Sequence, residues 1–381
     1  MFTGNILFTV FRIFGIWRPT FFAKKNWQII FSKIYSIFNF TVYFYFVFSF
    51  IPYLMQVINN VDEFTKTLFY FSATFAIYIK IISFAIKKKT VIELDEMLSE
   101  KICQPRDIYE FEILHQVSRT CKINTIIYQL MINSSLIILF ITSIEKNGQF
   151  SLMISSWFPY NINSSKLVFF STYLYQSFAL IITAWTTIAS ECFAMIIILR
   201  IGGQLDIIIH RLNSLSIGNY ENYPECVKYY FESKIIRDCV EHHIYIFAIG
   251  EKLNDLFGFV IFIQFFASMM DLCLIIFQLS RMNTDALMFL IHLGSIMFQT
   301  FVYNLYGEKL IEKSLAISHE IWNIDWPNLA KKTKYDLSMI AMRASRPIQL
   351  SGSSAIIMSI NTFVKVIKSA YTSYNLLSNV S

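Results

Sequence analysis

The chain has 381 residues, 55% apolar and 17% aromatic against 15% charged. That is too little polar material to cover a water-soluble globule of this size, so the composition predicts an all-α integral membrane protein. The formal charge of +6 is modest, and no basic, glycine-rich or aromatic-interleaved tract points to nucleic acid.

Six cysteines without a CxxC or a regular spacing predict free thiols rather than a disulfide framework. His242-His243 stands as an isolated pair and no HExxH occurs, so no metal site and no cofactor are expected. Paired carboxylates, a nucleophile constellation and a phosphate-cradling glycine loop are also absent from the sequence, which argues against an enzyme.

Residues 1–33 come first. Phe2, Ile6, Leu7, Val10, Ile13 and Phe14 have the spacing of an amphipathic helix lying on a membrane surface. Arg12 interrupts the apolar run and no small-x-small site follows, so a cleaved signal peptide is not expected.

An apolar run of about 20 residues crosses a hydrocarbon core of about 30 Å as a helix. Seven runs are long enough: 34–58, 67–86, 123–144, 167–199, 256–280, 286–306 and 350–377. Placing the N-terminus inside puts 25 of the 32 lysines and arginines in inner segments and 4 in outer ones, the asymmetry expected of cytoplasmic loops. The C-terminus is then extracellular. The sequon at Asn163 falls in an outer loop by the same count. The inner segments 87–122, 200–255 and 307–349 are long, and the fourth span exceeds what a bilayer needs, so its inner half should project below the membrane.

Four regions follow from this reading: a cytoplasmic amphipathic segment (1–33), six spans with long inner loops (34–306), a cytosolic helical anchor (307–349) and a terminal helix (350–381). In the anchor, Trp322, Trp326, Leu337, Ile340 and Met342 give a helical apolar face, and Arg343, Arg346 and Pro347 separate it from the last span.

That last span carries Asn361, Lys365, Lys368, Thr372, Asn375 and Asn379 at steps of 4, 3, 4, 3 and 4, one polar stripe on an apolar helix. Such groups at bilayer depth are costly unless they face water or a partner. Snorkelling lysines and interhelical asparagines are the bland alternative. One stripe encloses nothing, so a pore lined by it requires several subunits around an axis, with Leu376 and Val380 placed to close its outer mouth by dewetting.

A small apolar ligand calls for a largely hydrophobic and aromatic cavity. The outer half of the second span offers Phe69, Tyr70, Phe71, Thr74 and Phe75; the third offers Met131, Ser134, Ser135 and Ile138; the fourth offers Tyr173, Gln176, Phe178 and Ile181. Glu191 and Asp271 are isolated in spans and read as buried pairing partners or as groups at interfacial or cytosolic depth. His292 reads as a hydrogen-bonded helix contact, and a direct functional role is the minority reading for each of the three. Because no charged cluster converges in the outer half of the spans, the ligand is expected to be near-neutral.

The seven spans, the stretch RASRPIQLSG and the ending FVKVIKSAYTSYNLLSN resemble the insect odorant receptors. The resemblance covers the whole chain in length and topology, and its specific motifs lie in roughly the last 60 residues. It implies a non-selective cation channel opened by a small volatile ligand, assembled as a heterotetramer with an odorant co-receptor in the plasma membrane of olfactory sensory neuron dendrites. It also implies that the terminal helices line one pore, with the gate at Leu376, the next ring at Val380 and an amide near the outer filter at Asn379. Ser373-Tyr374 departs from the family's usual Tyr-Phe pair, and Asn375 is more polar than usual. The second inner loop is shorter than a co-receptor's, so the chain resembles a ligand-tuned subunit. The related gustatory receptors usually end in a Gln-Phe signature that is missing here. A G-protein-coupled receptor would have the opposite orientation, with Asp/Glu-Arg-Tyr and Asn-Pro-x-x-Tyr elements that are also missing.

Overall fold

A computed structural model describes residues 26–144, 151–217, 224–281, 286–353 and 356–380, so most of the expected surface helix over 1–33 lies outside the described residues. Helix α1 (Asn26–Phe48) and the short α2 (Phe50–Gln56) form one apolar run that is offset at Ser49. Pro52 sits in the first turn of α2, where a missing N–H costs no helical hydrogen bond.

Helix α3 (Val61–Ile86) starts at Asn60, whose side chain accepts from Glu63 N at 3.3 Å. Asp62 and Glu63 in its first turn complement the positive end of the helix dipole. The short α4 (Lys88–Met97) follows, and α5 (Ile108–Ile144) opens with Asp107 accepting from Glu110 N at 2.7 Å.

Helices α6 (Lys166–Ile217), α7 (Glu225–Ser280) and α8 (Ala286–Asn323) have 52, 56 and 38 residues. At 1.5 Å per residue they run about 78, 84 and 57 Å, well beyond a bilayer core of about 30 Å. Among the described residues six helical stretches are long and apolar enough to cross a membrane, α1 with α2, α3, α5, α6, α7 and α8. The projection expected for the fourth span is therefore general. The stretches that the sequence left as inner loops are largely continuations of the spanning helices.

At the basic end of the bundle, α9 (Lys331–Ala344) packs on α7 and α8 with Leu337, Ile340, Ala341 and Ala344 buried. Trp322 and Trp326 stack at 5.1 Å, while Trp322 and Met342 stay exposed.

The last helix, α10, spans Ile360–Val380 and begins ten residues later than the apolar run at 350 suggests. A two-residue antiparallel hairpin, β1 (Ser351–Gly352) with β2 (Ile356–Ile357), occupies the interval. Its backbone is tied to the neighbouring helices: Ser351 N donates to Asn254 Oδ1 at 2.8 Å, Ser353 N to Gly258 O at 3.1 Å and Ser359 N to Asn304 Oδ1 at 3.0 Å. A Cβ at Gly352 would lie 2.9 Å from Phe262 N, so only glycine permits this approach. From there α10 lies along α7 and α8, burying Val366 and Ala370.

Candidate ligand cavity and terminal helix

A cavity of about 160 Å³ opens inside the bundle between α3, α5, α6, α7 and α8. That is about the size that accommodates a single-ring molecule in other proteins. Each helix contributes residues at steps of three or four, the repeat of one helical face. Helix α3 gives Phe69, Tyr70, Thr74, Ile77 and Lys80; α5 gives Tyr128, Ile132, Ser135 and Leu139. Helix α6 gives Leu180, Thr183, Ala184 and Thr187; α7 gives Gln264, Ala267, Ser268 and Asp271; α8 gives His292, Ser295, Ile296 and Gln299.

Four of the residues expected at a ligand site, Phe69, Tyr70, Thr74 and Ser135, line this cavity. Phe69 meets His292 edge-on at 5.6 Å, and Thr74 takes the hydroxyl of Tyr43 on its carbonyl at 2.8 Å. The others lie elsewhere. Phe71 stacks with Phe75 at 5.5 Å, and the hydroxyl of Ser134 bonds Met131 O at 2.8 Å within its own helix. Ile138 is half-buried among apolar neighbours, and Tyr173 bonds Ser143 at 3.0 Å. Gln176 is buried but donates to Ile154 O and Ser156, outside the cavity. Phe178 and Ile181, 41% and 38% exposed, point away from the cavity-lining face of α6.

Sequence reasoning singled out Asp271 and His292 as isolated in spans but placed no residue of α7 or α8 at the ligand site. Gln264, Ser268 and Asp271 recur at steps of 4 and 3, and His292, Ser295 and Gln299 at 3 and 4. This is the same polar periodicity that marked the last helix, and it would have found them.

The deep wall of the cavity is charged. The ammonium of Lys80 bonds Glu191 and Gln264, with the pair's side chains only 4% and 6% exposed. Gln264 passes the network to Ser268 at 2.9 Å, and Tyr303 donates to Glu191 O at 3.1 Å. A buried pair held by additional hydrogen bonds is tolerated where either charge alone would not be. Nearer the end away from the basic loops, Asp271 takes a hydrogen bond from Ser72. Lys80, Asp271 and His292 therefore lie on the wall of a cavity for which the sequence suggested no charged cluster.

The terminal helix differs in exposure. Asn361, Lys365, Lys368 and Thr372 are exposed, Asn375 is half-buried and Leu376 is 65% exposed. Lys365 and Lys368 make no ion pair among the described residues. The backbone of α10 reaches Asn379 and Val380, whose side chains lie outside the description.

At the basic end, Arg211 reaches both carboxylate oxygens of Glu110, at 2.6 and 2.9 Å. His242 Nδ1 lies 3.2 Å from Arg211, and His243 sits edge-on to Phe247 at 4.9 Å. Burial, aided by Arg211, pushes His242 down to about 3, and burial with the charge of Arg343 pushes His243 down to about 4. Both imidazoles are therefore neutral at pH 7.

A family model described as 7tm Odorant receptor matches residues 60–371. Putative odorant receptor 92a of Drosophila melanogaster is 24% identical over 234 residues, which are 61% of this chain and 55% of that one. Odorant receptor Or2 of Anopheles gambiae is 28% identical over 147 residues, 38% and 39% of the two chains. The chain thus aligns with about half or less of the length of these relatives. The olfactory receptor OR5 of Machilis hrabei has the same fold, with a TM-score of 0.85, 15% identity and coverage of 99% of this chain and 97% of that one. Its structure in complex with eugenol gives a TM-score of 0.83 at 14% identity. With the family model matching well over half of its length, the chain belongs to the 7tm odorant receptor family.

Proposed function

We propose that the chain is a ligand-tuned odorant receptor subunit: a small volatile molecule enters the cavity between α3, α5, α6, α7 and α8 and opens a cation pathway lined by α10. The observation that carries this reading is the contrast in exposure. The polar groups on the cavity wall are largely satisfied within one chain, whereas the stripe of α10 is left uncovered by its own chain. Uncovered polar side chains on a helix alongside membrane-spanning ones need water or other subunits. A ring of such helices supplies both.

In this reading the basic end of the bundle is cytosolic, as the distribution of lysine and arginine favours. The N-terminus is then inside, the C-terminus outside, and α10 is the seventh span, its 21 residues reaching about 32 Å. The regions 1–33, 34–306, 307–349 and 350–381 act as surface segment, ligand-binding bundle, anchor and pore element. The partner is an odorant co-receptor in a heterotetramer, at the plasma membrane of sensory dendrites, with non-selective cations permeating. Leu376 forms the gate, with Val380 and Asn379 beyond it. Support for a small ligand comes from the fold shared with the Machilis receptor, which has been seen with eugenol.

Cysteine scanning of α10 tests the proposal. In the assembled channel, Thr372→Cys should make the current sensitive to a water-soluble thiol reagent, and Leu376→Ala should alter gating. Current indifferent to the reagent, with wild-type gating in Leu376→Ala, would remove α10 from the pore.

A further inference from the structure

Resting on that reading of the cavity, we propose that its ligand is a small organic amine, with the nitrogen held by Asp271 and the hydrocarbon part against Phe69, Leu136 and Leu139. Asp271 is 5% exposed and lies on the cavity wall. One of its oxygens accepts from Ser72, whose single hydroxyl proton is also within reach of Phe69 O at 3.0 Å. The other oxygen has no hydrogen-bond partner among the described residues.

Among the described residues no cation forms an ion pair with this carboxylate. Lys80 is committed to Glu191 and Gln264. Gln264 and Asp271 are seven residues apart on α7, about 10 Å along the axis, so the Lys80 pair lies roughly two turns deeper. His292 is turned to its own helix, Nδ1 at 3.0 Å from Met288 O, and forms no ion pair with Asp271. The wall thus carries one carboxyl group, Asp271, and one ammonium, Lys80, that is already paired with Glu191.

A buried carboxylate with a single neutral hydrogen-bond donor is expensive, and pairing with a cation removes most of that cost. An ammonium supplies both the missing charge and a charge-assisted hydrogen bond. A hydroxyl supplies only the hydrogen bond, and a hydrocarbon neither. A cavity of about 160 Å³ limits the ligand to about one ring or a short branched chain.

Benzylamine, benzyl alcohol and toluene share one skeleton and separate these chemistries. Dose–response curves on the assembled channel should place benzylamine lowest. Asp271→Asn should weaken benzylamine by about 10- to 100-fold while leaving benzyl alcohol within a few fold. Benzylamine no better than benzyl alcohol on the wild-type channel would overturn the inference whether or not the variant reaches the surface. A channel opened by neutral volatiles but not by amines would overturn it too and leave the proposed function standing. If no volatile evokes current, it is the channel reading that fails, and thermal unfolding of the purified protein with benzylamine decides amine binding separately. A rise in Tm that Asp271→Asn abolishes supports the inference; no rise, or an equal rise in both proteins, overturns it.

Discussion

The cavity wall and the terminal helix handle polar groups in opposite ways. Beside the cavity, buried Lys80, Glu191 and Ser268 and half-buried Gln264 are joined to one another across α3, α6 and α7. On α10, Asn361, Lys365, Lys368 and Thr372 project outward, while Val366 and Ala370 are buried. The first arrangement is complete within one chain, and its loss should be felt as lost stability. The second is incomplete, and its loss should be felt only when subunits assemble.

The largest effect expected from breaking this contrast is at Lys80. Lys80→Met leaves Glu191 buried without its cation, which should cost about 3–5 kcal/mol and most of the surface expression. Thermal unfolding in detergent measures it; a Tm within a degree of the wild type would mean that the pair is not buried in solution.

Acid should come next, through the two histidines at the basic end. Their folded values, about 3 and about 4, lie below the ordinary 6.5, so the unfolded chain binds the extra protons. The associated stability is fully present above about pH 6.5 and is lost as pH falls toward 4, at about 1.4 kcal/mol per pH unit for each histidine. His243→Gln should flatten this slope in unfolding measured between pH 7.5 and pH 5.

Filling the cavity sharpens the comparison. Ser135→Leu replaces a hydroxyl that bonds only its own helix, at 2.9 Å, with a side chain that takes up part of the 160 Å³. Ligand potency should fall about tenfold or more, with little change in Tm, and dose–response curves read it. The smallest stability effect belongs to Lys368→Gln, within about 0.5 kcal/mol as for an exposed substitution. If α10 lines the pore as proposed, single-channel conductance should nevertheless change, because removing a charge from a pore wall alters its field.

How much of this was legible in the sequence follows from side-chain periodicity. The stripe from Asn361 to Asn379 was readable because six polar residues stand out at helical steps on one apolar helix. Phe69, Tyr70, Thr74 and Ser135 were readable as aromatics and hydroxyls in the outer half of spans. Phe178 and Ile181 were not separable from Leu180, Thr183, Ala184 and Thr187, because a helix buried on most sides has no clear apolar face, and a shift of one or two positions turns a residue away. The pairing of Lys80 with Glu191 joins residues 111 apart and depends on how α3 docks against α6, which no local pattern encodes. The hairpin before α10 was hidden for a different reason. Its residues are apolar enough to extend a span, and their backbone groups are instead taken up by the hairpin pairing and by bonds to Asn254, Gly258 and Asn304.

The measurement that bears most directly on the whole account is whole-cell current from cells expressing this chain with and without an insect odorant co-receptor, under a panel of volatiles. The account predicts odorant-evoked cation current only when both chains are present, with gating changed by Leu376→Ala. Second-messenger signalling from this chain alone, with no such current when both chains are at the surface, would contradict it.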